Sequence, residues 1–470
     1  MALADLTDDQ WFERLQRRRV EQLTKAATLW EYYDNEQPLR YVARIIVEQG
    51  DRFPALRINW SALFVDSLDE RMECQGWRVT GSDSPDDDLT TVWEDNDLAA
   101  VQGEGSVASL VARQSYLMIG PGVDSDTPLI TVEYPDQVAV EIDPATGRVV
   151  AALKTWSSNT EMRTYDMASL YLPGRVATYE SGQKVDEQQQ ASGLVPVVPF
   201  FNKRRRWTGR SELHNLVPVI DAVNQTATNM MAALEHHALP RRWAMNLSED
   251  DFKDADGNPL PAWKIATGAV WAIPRAEDDT GVLGEQAQPK VGQFTAADLN
   301  NFHTSIRTLA LLASSLGGLD PRLLGVSSDN PASADAIRAS ESRLIRRAER
   351  LQRARSAPWR QVARIALAVL ERDPNTRLEP VWRDPSTPTL AAQADAAQKK
   401  LAAGIIDVEQ AQEDCGYTLA QRAAMRARRA SSVGQADQIV AGIRGLAIGN
   451  TGAGVVDEGE PAAEPSALAG

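Results

Sequence analysis

Cysteine is almost missing from this 470-residue chain, which has only Cys74 and Cys415. Two thiols so far apart in sequence give neither a disulfide framework nor a zinc site. Histidine is nearly as scarce: the four are His214, His236, His237 and His303. His236 and His237 are neighbours at the end of a predicted helix and point about 100° apart, a poor arrangement for sharing a metal. A cation there instead suits the C-terminal carbonyls. The chain has no Walker A loop, no Gly-x-Gly-x-x-Gly turn, no His-Glu-x-x-His helix and no Gly-x-Ser-x-Gly elbow, so those nucleotide and hydrolase signatures are excluded. Asp83, Asp86, Asp87 and Asp88 fail the spacing of a calcium loop, as do Asp250, Asp251, Asp254 and Asp256, and both sets read as solvated loops. No catalytic residue, metal or cofactor is therefore expected. No apolar run approaches the roughly 18 uncharged residues of a membrane span. The stretch from Met1 to Gln10 lacks the basic and apolar regions of a signal peptide, so synthesis in a reducing cytoplasm is expected.

What the chain does have is acid. There are 65 Asp and Glu against 49 Lys and Arg, a formal net charge of −16. That balance argues against tight, sequence-independent wrapping of nucleic acid, which rests on cations neutralising phosphates. It leaves open a duplex that passes through a weakly repelling channel. An apolar fraction of 43% with 24% charged residues is that of a globular protein, and the length suffices for about three domains.

Taken in order, the chain starts as a helix behind the capping box at Thr7 and Gln10. A second helix begins near Asn59-Trp60, and Trp77 to Val79 reads as a short strand. Helix is expected again from Val92 to Arg113, interrupted near Gly103. From Ser115 the apolar period changes to two, with strand candidates at Tyr116–Ile119, Leu129–Tyr134, Val138–Ile142, Arg148–Trp156, Met162–Leu172 and Arg175–Tyr179. Gln188 to Ser192 reads as a polar loop, and Val195 to Phe201 as extended chain. Residues 1–210 thus predict one mixed helix-and-sheet domain. A helix opening at Ser211, with Pro218 in its second turn, runs to Pro240. A small strand-rich insertion fills 241–294.

The helix after it, from Thr295 to Gly318, carries Leu299, Phe302, Ile306, Leu309, Ala313 and Leu316. Spacings of three and four place them on one face. Gly317-Gly318 supplies the left-handed stop. The polar loop at 319–332 follows, and a long arginine-rich helix starts at Ser333, kinked or broken near Pro358. Arg377 to Trp382 reads as a strand returning to the first domain, in the segment 333–382. Residues 383–440 read as helical, with a turn at Gly404-Ile405-Ile406. The Gly-, Ala-, Pro- and Glu-rich stretch 441–470 is expected to be disordered. The fold class is α+β.

Two basic features stand out. The run Lys203-Arg204-Arg205-Arg206-Trp207 suits phosphate contact, or pairing with acidic residues of a neighbouring subunit, and in so acidic a chain the second is favoured. Arg343, Arg346, Arg347 and Arg350 lie on the long helix opposite Leu344, Ile345 and Leu351. They read as a solvated or subunit-facing stripe, with nucleic-acid contact as the alternative.

Four stretches carry a family likeness: Asn59-Trp60 to Val65 with Arg71, Gly76 and Trp77; Pro196 to Phe200 with Asn202, Gly209, Ser211, Glu212 and Leu213; Asp221 and Asn224 to Pro240; and Leu324-Gly325 to Asn330 with Ser333, Ala336 and Ile337. Lys400 to Gly404 and Gly416-Tyr417 add to it. In that order they resemble the portal proteins of tailed double-stranded DNA bacteriophages. The resemblance implies a ring, normally a dodecamer, at one vertex of the virion capsid, made in the host cytoplasm. Double-stranded DNA would enter and leave through its channel. Residues 1–210 would form the wing, 211–240 and 295–318 the stem helices, and 241–294 the clip. Residues 333–382 would complete the wing, and 383–440 would be the crown. The large terminase subunit and the head–tail adaptor would be partners, as would the major capsid and scaffold proteins; a membrane would not. The loop would be the DNA-facing tunnel loop, presenting Leu319, Asp320, Arg322, Leu323, Leu324, Ser327, Ser328, Asp329 and Asn330. Arg322 departs from a purely acidic constriction.

Two other readings compete. A helical oligomeric scaffold or adaptor of the virion would share the assembly but need no open channel. A carboxylate-dependent hydrolase needs two acids facing each other in a cleft, and no such pairing is visible in the sequence.

Overall fold

The computed structural model describes residues 6–39, 56–81, 86–122, 126–159, 164–190, 193–238, 242–247, 270–274, 290–293, 299–326, 334–386, 390–418 and 421–431. The chain divides into two compact units, one of Met1–Ser82 with Asp86–Thr387, the other of Asp83–Pro85 with Pro388–Gly470. It is mixed α+β, as the change of apolar period predicts.

The first unit begins with α1 (Asp8–Tyr33), whose Thr7–Gln10 capping box is formed in both directions. Helix α2 (Trp60–Asp69) is capped by Asn59, which accepts from the Ala62 amide. Helices α3 (Asp87–Asp95) and α4 (Leu98–Ala112) replace the single interrupted helix expected over Val92–Arg113. The break falls at Asn96-Asp97, not at Gly103. The Asn96 side chain donates to the carbonyls of Val92 and Pro128 and accepts from the Ile130 amide, so strand pairing fixes the corner. Asp86 caps α3 by accepting from Leu89, a structural use for one of the four clustered aspartates.

Strands β2 (Gln114–Gly120), β3 (Leu129–Glu133) and β9 (Val197–Phe201) form one antiparallel sheet in the order β3-β2-β9. A five-stranded meander follows chain order through β4 (Val138–Ile142), β5 (Val149–Asn159), β6 (Thr164–Leu172), β7 (Arg175–Glu180) and β8 (Gln183–Gln189). β8 was not expected, and its last two residues, Gln188 and Gln189, fall in the stretch read as a polar loop. Its seven residues are all exposed, so they carry no burial alternation, and pairing with β7 alone makes them a strand. Strand β1 (Cys74–Val79) pairs with β13 (Leu378–Trp382), the expected return, with Trp77 opposite Pro380. Between two helices described below lie β10 (Arg242–Leu247), β11 (Val270–Pro274) and β12 (Lys290–Gln293). β10 is parallel to β11 and antiparallel to β12. The turn expected at 255–258 lies outside the described residues.

Helix α7 (Ala334–Val369) runs 36 residues through Pro358 without ending, against the break expected there. Proline forfeits one intrahelical hydrogen bond, and packing on the next residue outweighs that loss. Trp359 is 4% exposed and lies 5.5–5.8 Å, centroid to centroid, from the rings of Trp77, Trp93 and Phe200. The Trp77 indole N–H donates to the Trp359 carbonyl at 3.0 Å. Aromatic groups of this size dominate core energetics. Deeper in the same helix, Arg355 is fully buried and donates to the hydroxyls of Ser106 and Ser109, and burial lowers its pKa to about 10.

The second unit contains α8 (Leu390–Ala402), α9 (Val408–Asp414) and α10 (residues 421–431), with Gly404 in the left-handed conformation at the expected turn. Arg422, buried, pairs with Glu413 at 2.6 Å. Residues 441–470 lie outside the described residues, as does the disorder expected of them. Among the described residues no helix is long and apolar enough to cross a membrane.

Replacing Trp359 by Ala is expected to cost about 3–5 kcal/mol, the usual range for a buried large aromatic. Urea unfolding followed by tryptophan fluorescence and far-UV dichroism measures it.

Candidate functional site

The centre of interest is a helix pair and what its base is tied to. A 3-10 turn at Glu212–Asn215, capped by Ser211, precedes α5 (Val217–Ala238). Pro218 therefore falls in the first turn of α5, where its missing N–H costs nothing, and the expected bend is not needed. The partner helix α6 is Asn300–Gly317, and the N-cap expected at Thr295 lies outside the described residues. Leu216, Ile220 and Val223 share one core with Ala310, Ala313, Phe64 and Leu68. Leu299, Phe302, Ile306 and Leu309 are half-buried and Ala313 is buried, as the stripe predicts. Leu316 is not: it is 42% exposed, and the seam ends at Gly317 instead. A Cβ on Gly317 would stand 1.9 Å from the Phe64 ring, so helix approach demands glycine there. The left-handed stop is Gly318 alone, at φ 72°. Polar ties fix α5: Tyr32 donates to Asp221 at 2.7 Å, and Asn224 accepts from the Ile58 amide at 2.7 Å.

The loop after α6 begins as a packed turn, not an open one. Leu319, Asp320 and Leu324 are buried, which removes them as surface contacts of this chain; Arg322 and Leu323 are exposed. Asp320 caps the 3-10 turn Pro321–Leu324 by accepting from the Arg322 amide at 2.9 Å. It also accepts from the Arg322 guanidinium and the Ser340 hydroxyl, and these, Arg322 first, hold its carboxyl well below the usual range. Arg343 reaches across from α7 to the Ser315 carbonyl at 2.6 Å, a cation at a helix C-terminus. The base of the loop is thus bolted to α7. Ser327, Ser328, Asp329 and Asn330 lie outside the described residues.

The basic run forms one wall of a cleft of about 1280 Å³. Lys203 and Arg206 adopt positive φ, and Arg204 stacks 4.3 Å above the Trp207 ring. Behind the run, Gly209 meets the Arg113 carbonyl, where a Cβ would approach to 1.8 Å. Glu212, with 5% of its side chain exposed, accepts from Lys203 at 2.6 Å, from Arg347 at 2.5 Å and from Asn202 at 3.2 Å. Lys203 and Arg347 therefore each have a partner within the chain, as does Arg343 at the Ser315 carbonyl. Arg204, Arg205 and Arg350 line the cleft, joined by Lys25, Arg113 and Arg210; Arg206 and Arg346 are exposed but do not line it. Lys25 and Arg113 were missed because they come from separate elements and no local pattern marks them, and Arg210 because it stands four residues beyond the run. His214, also on the cleft, has its pKa lowered by burial and then by Arg210, Arg113 and Lys203.

A helix pair thus brackets a small sheet, and the turn that leaves it is held by a long helix. The chain belongs to the phage portal protein family, SPP1 Gp6-like, whose model matches residues 13–414. It is 32% identical to the portal protein of Mycobacterium phage D29 and 31% to that of Mycobacterium phage L5, each over 415 residues, 84% of this chain and 83% of the relative. Among solved structures, the neck of an empty GTA particle computed with C6 symmetry is similar over 83% of this chain and 93% of that one, at 15% identity and a TM-score of 0.45.

Two predictions follow from this geometry. Glu212→Leu leaves Arg347 and Lys203 without their carboxylate, and a loss of about 3 kcal/mol is expected in denaturant unfolding, the lower end for a broken buried pair because Lys203 is half exposed. Asp320→Ala removes a cap worth about 1 kcal/mol. Because the folded carboxyl titrates below its unfolded value, that contribution is fully present above the unfolded pKa near 4 and fades as pH falls through the folded one. The stability gap between wild type and Asp320→Ala should be flat from neutral pH to about pH 5 and close on further acidification.

Proposed function

We propose that this chain forms the portal ring of a tailed phage, set at one capsid vertex, through which double-stranded DNA is packaged and later ejected. The helix pair α5 and α6 is the stem, the sheet of β10, β11 and β12 belongs to the clip, and residues 319–332 make the tunnel loop. Residues 1–210 with 333–382 form the wing, and 383–440 the crown. Membership of the family over residues 13–414 carries the reading. The helix pair with its inserted sheet supports it, and so does the net charge of −16, since an acidic channel lets phosphate slide where a basic one holds it.

The reading treats the chain as structural, with the motor's nucleotide chemistry supplied by the terminase docked at the clip. The head–tail adaptor would take over that surface after packaging. Outside the stem seam, Met231, Leu311, Leu312 and Leu316 are 42–48% exposed, a greasy face suited to the next stem in a ring.

Native mass measurement with top-view electron microscopy tests this. A dodecamer of 51.4 kDa subunits is expected, with a central channel of roughly 20–40 Å, wide enough for a duplex whose major groove alone is about 12 Å. A compact dimer without a channel would sink it, and a closed assembly lacking a channel would favour the scaffold reading. Deleting Ser327 to Asn330, while sparing the packed turn at Leu319–Leu324, is expected to leave ring mass unchanged and to lower the yield of DNA-filled heads.

A further inference from the structure

The cleft beside Glu212 gathers cations on a chain whose net charge is of the opposite sign. Lys25, Arg113, Arg204, Arg205, Arg210 and Arg350 line it. Among the described residues none of the six pairs with a carboxylate. The single carboxylate lining the cleft, Glu212, is already shared by Lys203 and Arg347. With the chain at −16 overall, gathering cations here leaves the remaining surface more acidic than the total suggests.

We propose that this cleft is a socket for the acidic surface of a second copy of this chain, the contact that orders successive subunits around the ring. The inference rests on the portal reading and deepens it. Copies of a −16 protein repel one another at a distance. A basic hollow on one face and acid elsewhere make the contact heterologous, head to tail, which is the kind that closes into a ring. At salt where charges more than about 8–10 Å apart are screened, only the pairing inside the contact persists.

The shape favours protein over the two other anionic occupants. At about 1280 Å³ the hollow exceeds the roughly 300–1,000 Å³ of small-molecule sites. Its lining includes Leu29, Leu68, Leu351 and Ala354, apolar groups that suit a folded segment and offer nothing to a phosphate backbone. The rim is also held in place before anything arrives. Arg204 lies on the Trp207 ring, and the Arg210 guanidinium donates to Asn215 at 2.7 Å. Preorganised cations lose less on binding.

The test uses the full chain and charge reversal at Arg205→Glu and Arg350→Glu, neither of which touches the Glu212 pairs. Ring population is followed by native mass measurement across a salt series, with dichroism to confirm the fold. The expected result is at least a tenfold weaker assembly for the double variant, and retention of rings by Arg205→Lys with Arg350→Lys. Zero-length carbodiimide coupling of a 1:1 mixture of 14N and 15N subunits supplies the second readout. Mixed-isotope links from Lys25 to an Asp or Glu are expected. Rings of unchanged mass and salt response in the charge-reversed variant, with only same-subunit links, would overturn the socket while leaving the portal reading intact. Rings that persist while the wild type alone binds a short DNA duplex would overturn it in favour of phosphate. A wild type that forms no ring would remove both readings together.

Discussion

Everything around the base of the helix pair depends on one buried carboxylate. Glu212 stands where the chain leaves the sheet and enters α5, and it joins the turn 9–10 residues before it to a helix 135 residues after it. Asn202 and Lys203 bring the turn after β9, and Arg347 brings α7. A carboxylate out of water is stable only when paired and hydrogen-bonded, so the fold either assembles all three partners or leaves a charge stranded. That requirement gives the junction its uniqueness. The tryptophan cluster around Trp359 holds α7 against the sheets without comparable directional demands.

Much of the framework was legible because it is written in periodicity. The stripe from Leu299 to Ala313, the strands from Tyr116 to Tyr179 and the returning strand at Leu378–Trp382 all follow from apolar spacing. Segments whose reason lies elsewhere in space were not legible. β8 exists because β7 offers it a hydrogen-bonding edge, the Asn96 corner exists because of Ile130 and Pro128, and α7 survives Pro358 because of three rings contributed by β1, α3 and β9. Gly317 looked like a helix stop and is in fact a point of close approach to Phe64.

The site divides in the same way. The basic run was visible as a string of like residues, yet sequence cannot tell a cation spent internally from one turned outward. Lys203 and Arg347 are spent on Glu212, while Arg205 and Arg350 face the cleft. Lys25 and Arg113 join them from α1 and from the end of α4, and only the folded chain puts them there. The loop was expected to be wholly exposed on account of its polarity, but Asp320 uses its charge to close a turn and so buries itself.

Helix α7 has one further consequence. Along its 36 residues it meets Asp320 through Ser340, the α6 terminus through Arg343, the junction carboxylate through Arg347 and the aromatic core through Trp359. These attachments are indexed by a screw of about 1.5 Å and 100° per residue. One residue inserted between Ser340 and Trp359 would rotate every upstream attachment by a quarter turn relative to the core. The stretch therefore tolerates a change of side chain away from these contacts far better than a change of length, like the tooth spacing of a gear that must mesh at four places at once.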